Sequence, residues 1–113
     1  MSVRLEGDRL RAGEHLAISF ERTLRIPNDG RKYPLPPGLG LFPIRVIGGD
    51  FVIPVYQREA LWIAFEGAWW KPNAVKVGIG GIDALTGEPW SEELKSDPQN
   101  YLVAPDQPWL DGL

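Results

Sequence analysis

The sequence predicts an all-β domain, a small sandwich or barrel of short antiparallel strands with Pro/Gly-rich loops. Three observations carry that expectation. His15 to Ile26 alternates with period two, placing Leu16, Ile18, Phe20, Leu24 and Ile26 on one side with only Arg22 out of pattern. The 13 glycines and 11 prolines, about twice the average usage, punctuate the chain between apolar runs without forming a repeat or a tract. No apolar run keeps helical spacing over the length of a stable helix. With 113 residues, 43% of them hydrophobic, the chain has material for one core and is read as a single domain over 1–113.

From the N-terminus, Val3, Leu5 and Leu10 sit among charges of alternating sign, with Gly7-Asp8 and Ala12-Gly13 as turn signals, so a short strand or arm is expected. The strand His15–Ile26 follows. Its second face, Ala17, Ser19, Glu21, Thr23 and Arg25, suits water or a polar partner. Pro27-Asn28-Asp29-Gly30 supplies the turn that ends it. Pro34, Pro36, Pro37 and Pro43 then forbid a helix or an interior strand. Leu35, Leu39, Leu41 and Phe42 nonetheless make that segment apolar, and water-exposed apolar area costs about 25 cal/mol per Å². The segment 34–43 is therefore expected to lie against the body as a lid, or against another subunit.

Ile44 to Ile47 reads as a strand, Gly48-Gly49-Asp50 as a hairpin turn, and Phe51 to Tyr56 as its partner, with Pro54 forcing an edge or a bulge. Gln57 to Ala60 has room for one helical turn. Leu61 to Phe65 alternates again, but Trp62 and Ala64 make its second face apolar too, as in a strand covered on both sides. Ala74 to Leu85 is a strand pair or one bent strand, with Gly78, Gly80 and Gly81 permitting a bulge or the close approach of a second backbone. Thr86 to Pro89 forms a turn, Ser91 to Lys95 a single helical turn capped by Ser91, and Tyr101 to Ala104 a last strand. The segment after Ala104 is a proline-bounded tail anchored by Trp109 and Leu110.

Composition excludes several classes of function. There are no cysteines, which removes disulfide scaffolds and thiolate metal sites and permits a reducing compartment; a cytoplasmic setting is expected. Arg58, Glu59 and Glu66 interrupt the best apolar run, so no membrane span is expected, and the charged N-terminus does not read as a secretory signal. Residues 1–45 hold eight Lys/Arg against five Asp/Glu, whereas 46–113 hold four against ten. Such a split either marks opposed patches that steer copies together or is intermixed by the fold.

Four blocks, LPPGLGLFPI (35–44), PVYQREALWIAF (54–65), AVKVGIGGIDALTGEPW (74–90) and YLVAPDQPWLDG (101–112), resemble consecutive motifs of an uncharacterised group of prokaryotic proteins. The likeness covers about two thirds of the chain and implies no activity. It implies that longer members continue past the equivalent of Trp109 to Gly112, so that whatever a downstream region contributes in them lies outside these 113 residues.

Trp62, Trp69 and Trp70, with Tyr56 and Phe65, form the densest aromatic cluster, a stacking platform for sugars or small ligands or else packing at a core or contact. Adjacent tryptophans in a strand face opposite ways, which favours a contact surface. Leu39, Phe42 and Trp109 join the same candidate ligand or partner surface. Glu59, Glu66 and Asp83 lie near apolar runs, where desolvation suits general acid work, but no pairing follows from their spacing and Arg58 stands beside Glu59, so solvated or Arg-paired carboxylates at strand ends are the reading preferred. His15, the sole histidine, has no nucleophile-elbow motif around Ser2, Ser19, Ser91 or Ser96. No metal site and no cofactor are expected, because the acidic turns lack ligand spacing and Gly78-Ile79-Gly80-Gly81 lacks the dinucleotide and P-loop patterns. Arg22, Arg25, Arg31 and Lys32 near Tyr33 are a small basic group in an acidic chain without a nucleic-acid-binding signature, so no nucleic acid partner is expected. The leading expectation is a non-enzymatic module that self-associates through its apolar and tryptophan-bearing surface. The alternative is a carbohydrate- or small-ligand-binding domain on the same tryptophans, with a protein or glycan as partner.

Overall fold

The computed structural model describes residues 2–23, 30–31, 38–55 and 60–110. They form an antiparallel all-β fold, with no helix among the described residues. Five strands make the main sheet: β1 (Val3–Glu6), β2 (Arg9–Ala12), β3 (Leu16–Thr23), β6 (Ala60–Gly67) and β11 (Trp109–Leu110), side by side in the order β1-β2-β3-β6-β11. Three two-stranded ribbons complete it: β4 (Arg45–Ile47) with β5 (Asp50–Val52), β7 (Asn73–Val75) with β10 (Leu102–Ala104), and β8 (Gly78–Ile79) with β9 (Ile82–Asp83).

The centre of the main sheet is the pair β3 and β6, matched from Leu16↔Gly67 to Thr23↔Ala60. That register puts Leu16, Ile18 and Phe20 on one face with Leu61, Ile63 and Phe65, because directly opposed residues share a face. This face is the core. Leu102, Ala104, Val75 and Val77 from the β7–β10 side pack against it, together with Leu110. Strand β6 is interior to the sheet, between β3 and β11, but Trp62 and Ala64 on its second face are only half-buried, so the cover expected on both faces of 61–65 is partial.

The opposite face of β3, expected to meet water or a polar partner, is partly closed within the chain itself, for Ala17, Ser19 and Thr23 are all buried. Their side chains are short and stand between long neighbours: Ala17 is flanked by Arg11 and Glu66, and Trp62 stands opposite Glu21 beside Ser19 and Thr23. A small side chain in a central strand loses its water to its neighbours whatever its polarity. Leu24 to Ile26, with the turn expected at 27–29, lies outside the described residues.

The end of the proline-rich segment lies against the body, as one of its two expected placements had it. β2 pairs with β3 only over Leu16 to Ile18, leaving the rest of that edge open. Leu39 donates its amide to the Arg22 carbonyl (2.8 Å), Arg22 donates to Gly40 (2.8 Å) and Phe42 donates to Phe20 (2.8 Å), so 39–42 continues the sheet where β2 stops. These bonds avoid the prolines, which lack a donor. Phe42 is 1% exposed, the largest fully buried side chain among the described residues, with the Arg22 guanidinium carbon 5.8 Å from its ring centre.

Three further differences have local causes. Trp69 and Trp70 are not in a strand: the Lys71 amide donates to the Ala68 carbonyl (3.0 Å), and the two tryptophans form the tip of that turn. Ser91 to Lys95 is not helical; the Ser91 hydroxyl accepts from the Glu93 amide, and Asn100 ties both Glu93 and Lys95, so local side-chain bonds replace helical ones. The last strand is β11, in the tail, where Trp109 stands opposite Ala64 and the Phe65 amide donates to the Pro108 carbonyl at 2.7 Å.

Candidate functional site

Two surfaces concentrate exposed apolar or aromatic groups. The first is the hairpin β4–β5. Gly48 and Gly49 have φ of 60° and 84°, the left-handed pair required by the tight hairpin turn joining strands of right-handed twist, and the register closes at Ile47↔Asp50. Val46 opposes Phe51 and Arg45 opposes Val52. Both faces of the hairpin are open: Val46 is 56%, Ile47 61% and Phe51 40% exposed, and Val52 is exposed as well. Arg45 and Asp50 are its charged groups, and both lie on the face opposite Val46 and Phe51.

Beside the hairpin is an apolar cleft of about 480 Å³. Its floor is the core face of the main sheet, including Phe20, Ile63 and Phe65; Val75, Val77 and Ile79 form its wall. Ile53, immediately after β5, lines it as well and so joins cleft to hairpin. Lys76 is in the wall, but its ammonium turns away into a knot of its own. It donates to the carbonyls of Ser91 and Glu93, stands 4.8 Å from the ring centre of Trp90, and lies 3.8 Å from Asp83 Oδ2.

The second surface is the turn carrying Trp69 and Trp70, 82% and 62% exposed. Their rings meet edge to face (centroids 6.0 Å apart, planes at 81°), and His15 lies edge-on to Trp70 at 5.7 Å. The corner opens on a shallow cavity of about 420 Å³ bordered also by Arg11, Glu14 and Glu66. Glu66 is paired with Arg9 at 3.3 Å and Arg11 with Glu6 at 3.5 Å, so opposite charges ring the aromatic pair.

The sequence candidates are therefore dispersed. Trp69 and Trp70 share one corner, whereas Leu39 is exposed on the segment beside β3 and Trp109 is half exposed on the edge strand β11. Trp62 is half-buried on the sheet face opposite the core, with its indole N–H buried and without a hydrogen-bond partner among the described residues. Phe42, expected at a contact surface, is instead core, because its segment completes the sheet edge. Tyr56 and Glu59 lie outside the described residues.

Of the carboxylates, Glu66 borders the tryptophan cavity, where Asp83 takes no part in the lining. Asp83 is buried in a turn, accepting the amides of Leu85 (2.8 Å) and Thr86 (3.3 Å) with one oxygen and facing Lys76 with the other. Those bonds are the structural duties of an Asx turn. Among the described residues no serine lines the tryptophan cavity that His15 borders. No group of three or more potential metal ligands occurs among the described residues, and no helix among them is long and apolar enough to cross a membrane.

Residues that sequence reading passed over are Val46, Ile47, Phe51 and Val52 as surface, and His15 as a neighbour of Trp70. A signal for the first existed, since IRVIGGDFV is apolar at both parities of each strand. For His15 there was none, because its partner is 55 positions away across the β3–β6 pairing. The chain matches no family model, no curated protein and no solved structure.

Proposed function

We propose that this chain is a non-enzymatic interaction module that self-associates, with the hairpin β4–β5 as the centre of its contact surface. The observation that carries this reading is an apolar hairpin open to water on both faces, with Val46, Ile47, Phe51 and Val52 exposed together. A two-stranded ribbon is marginal in water unless a face is covered, and contiguous exposed apolar groups of this kind mark contact sites. The exposed Leu39, Trp109 and Val55 add apolar surface elsewhere on the chain. The proposal includes a cytoplasmic setting, with which a cysteine-free sequence is compatible. Size-exclusion chromatography with light scattering tests it: a dimer or higher species is expected, and a strict monomer at high micromolar concentration overturns it.

A second reading, the binding of a carbohydrate or small ligand, is favoured by one specific observation. Trp69 and Trp70 stand exposed at a turn tip above a cavity bordered by Glu14, Glu66, Arg11 and His15. Aromatic faces beside several hydrogen-bonding groups suit a neutral polyhydroxylated ring. Intrinsic fluorescence titrated against a glycan panel is expected to shift for at least one member and to lose that shift in Trp70→Ala; a flat response throughout removes this reading.

A further inference from the structure

The hairpin and the cleft are two parts of one apolar surface. Val46 and Phe51 share a face by their pairing, and period two continues that face to Ile44 on one strand and Ile53 on the other. Ile44 is buried and Ile53 lines the cleft, while Val46 and Phe51 are in water. The same apolar face thus begins inside the molecule and runs out along the hairpin. Arg45 and Asp50 are confined to the other face, so laying Val46 and Phe51 against apolar walls leaves both charges at the rim.

The cleft needs an apolar occupant of this sort. Among the described residues its one charged lining group, Lys76, has its ammonium committed to the carbonyls of Ser91 and Glu93 and to Asp83. Against these residues an occupant is favoured by apolar area.

We propose that two copies of this chain exchange hairpins, the Val46–Phe51 face of each lying in the cleft of the other. A two-fold axis near Ile53 makes the contact self-complementary: hairpin meets cleft twice, and the assembly closes. This inference rests on the self-association proposed above and adds which surfaces meet.

The absence of native cysteine gives a direct test, with every variant on an exposed side chain. Chains carrying Val46→Cys alone and Ile79→Cys alone, distinguished by mass, are mixed at high micromolar concentration and oxidised. The expected product is the mixed 46–79 disulfide, at least tenfold over either homodimer. A predominant 46–46 homodimer means hairpins packed on hairpins and overturns the exchange, as does random cross-linking. A second measurement uses Val46→Asp with Phe51→Asp in one chain and Ile79→Asp in another. Each alone is expected to run as a monomer with an unchanged far-ultraviolet spectrum, and their equimolar mixture to regain dimer, because one intact hairpin then meets one intact cleft. A wild-type dimer without such rescue refutes the exchange and leaves self-association standing; a wild-type monomer removes both.

Discussion

At the scale of single residues, Lys76 carries more of the structure than its position in a short connection suggests. Its ammonium bonds two carbonyls in 91–93, faces the buried Asp83 carboxylate at 3.8 Å and lies over Trp90. Side-chain exposure is 9% for the lysine and 3% for the aspartate, so water does not replace either partner. Lys76→Met is expected to cost about 3 kcal/mol, the low end for removing one member of a buried pair, because Asp83 keeps two amide bonds. Urea midpoints at constant m-value check this, and adding Asp83→Asn is expected to recover part of the loss. Gly78 belongs to the same knot. A Cβ there would stand 2.7 Å from the Trp90 ring, so Gly78→Ala displaces an indole that is half exposed and able to swing outward. The expected cost is about 1 kcal/mol, with a change in tryptophan emission. Phe42→Ala stands at the other extreme, since nothing of that ring reaches water; about 3–5 kcal/mol is expected, a large part of a small domain's 5–15 kcal/mol.

At the scale of elements, strand β11 makes the sharpest case. Only Trp109 and Leu110 pair with β6, yet they close the edge of a strand whose core face holds Ile63 and Phe65. A chain ending at Asp106 loses the Pro108 carbonyl that accepts the Phe65 amide and leaves β6 as an exposed edge. It is expected to aggregate, because a long unpaired apolar edge is a template for pairing with other chains; the soluble fraction after expression, compared with the full chain, measures it. The sequence hides β11 because Pro105 and Pro108 imitate a loop, and a two-residue strand has no period to detect. By contrast β4–β5 was legible in outline, since two adjacent glycines between apolar runs mark a hairpin turn, although the turn expected over Gly48-Gly49-Asp50 closes one residue earlier, with Asp50 paired to Ile47, and the partner expected to run from Phe51 to Tyr56 stops at Val52. The tryptophan turn was not. Ala68-Trp69-Trp70-Lys71 has no glycine, asparagine or proline at its centre, so composition gave no reason to break the strand there.

For the whole molecule, alternation in the sequence fixes which residues share a face but not what covers that face. That is why the all-β class and the core residues Leu16, Ile63 and Phe65 could be read in advance, while the burial of Ser19 and the exposure of Ile47 could not. Both follow from neighbours distant in sequence: Trp62 stands diagonal to Ser19 on the same face, and nothing in the described chain lies over the hairpin. Covering that hairpin with a second copy has a thermodynamic signature independent of any substitution. If folding and association are coupled, each tenfold rise in protein concentration adds about 1.4 kcal/mol per dimer to the stability of the folded state. The midpoint of thermal unfolding is then expected to climb by several degrees between 1 and 100 µM, since about 1 kcal/mol moves a domain of this size by roughly 4–8 °C. Differential scanning fluorimetry at three concentrations reads it through the five tryptophans. A midpoint constant over that range means that the exposed apolar residues are tolerated in water by an isolated chain, and the contact surface then requires a different partner.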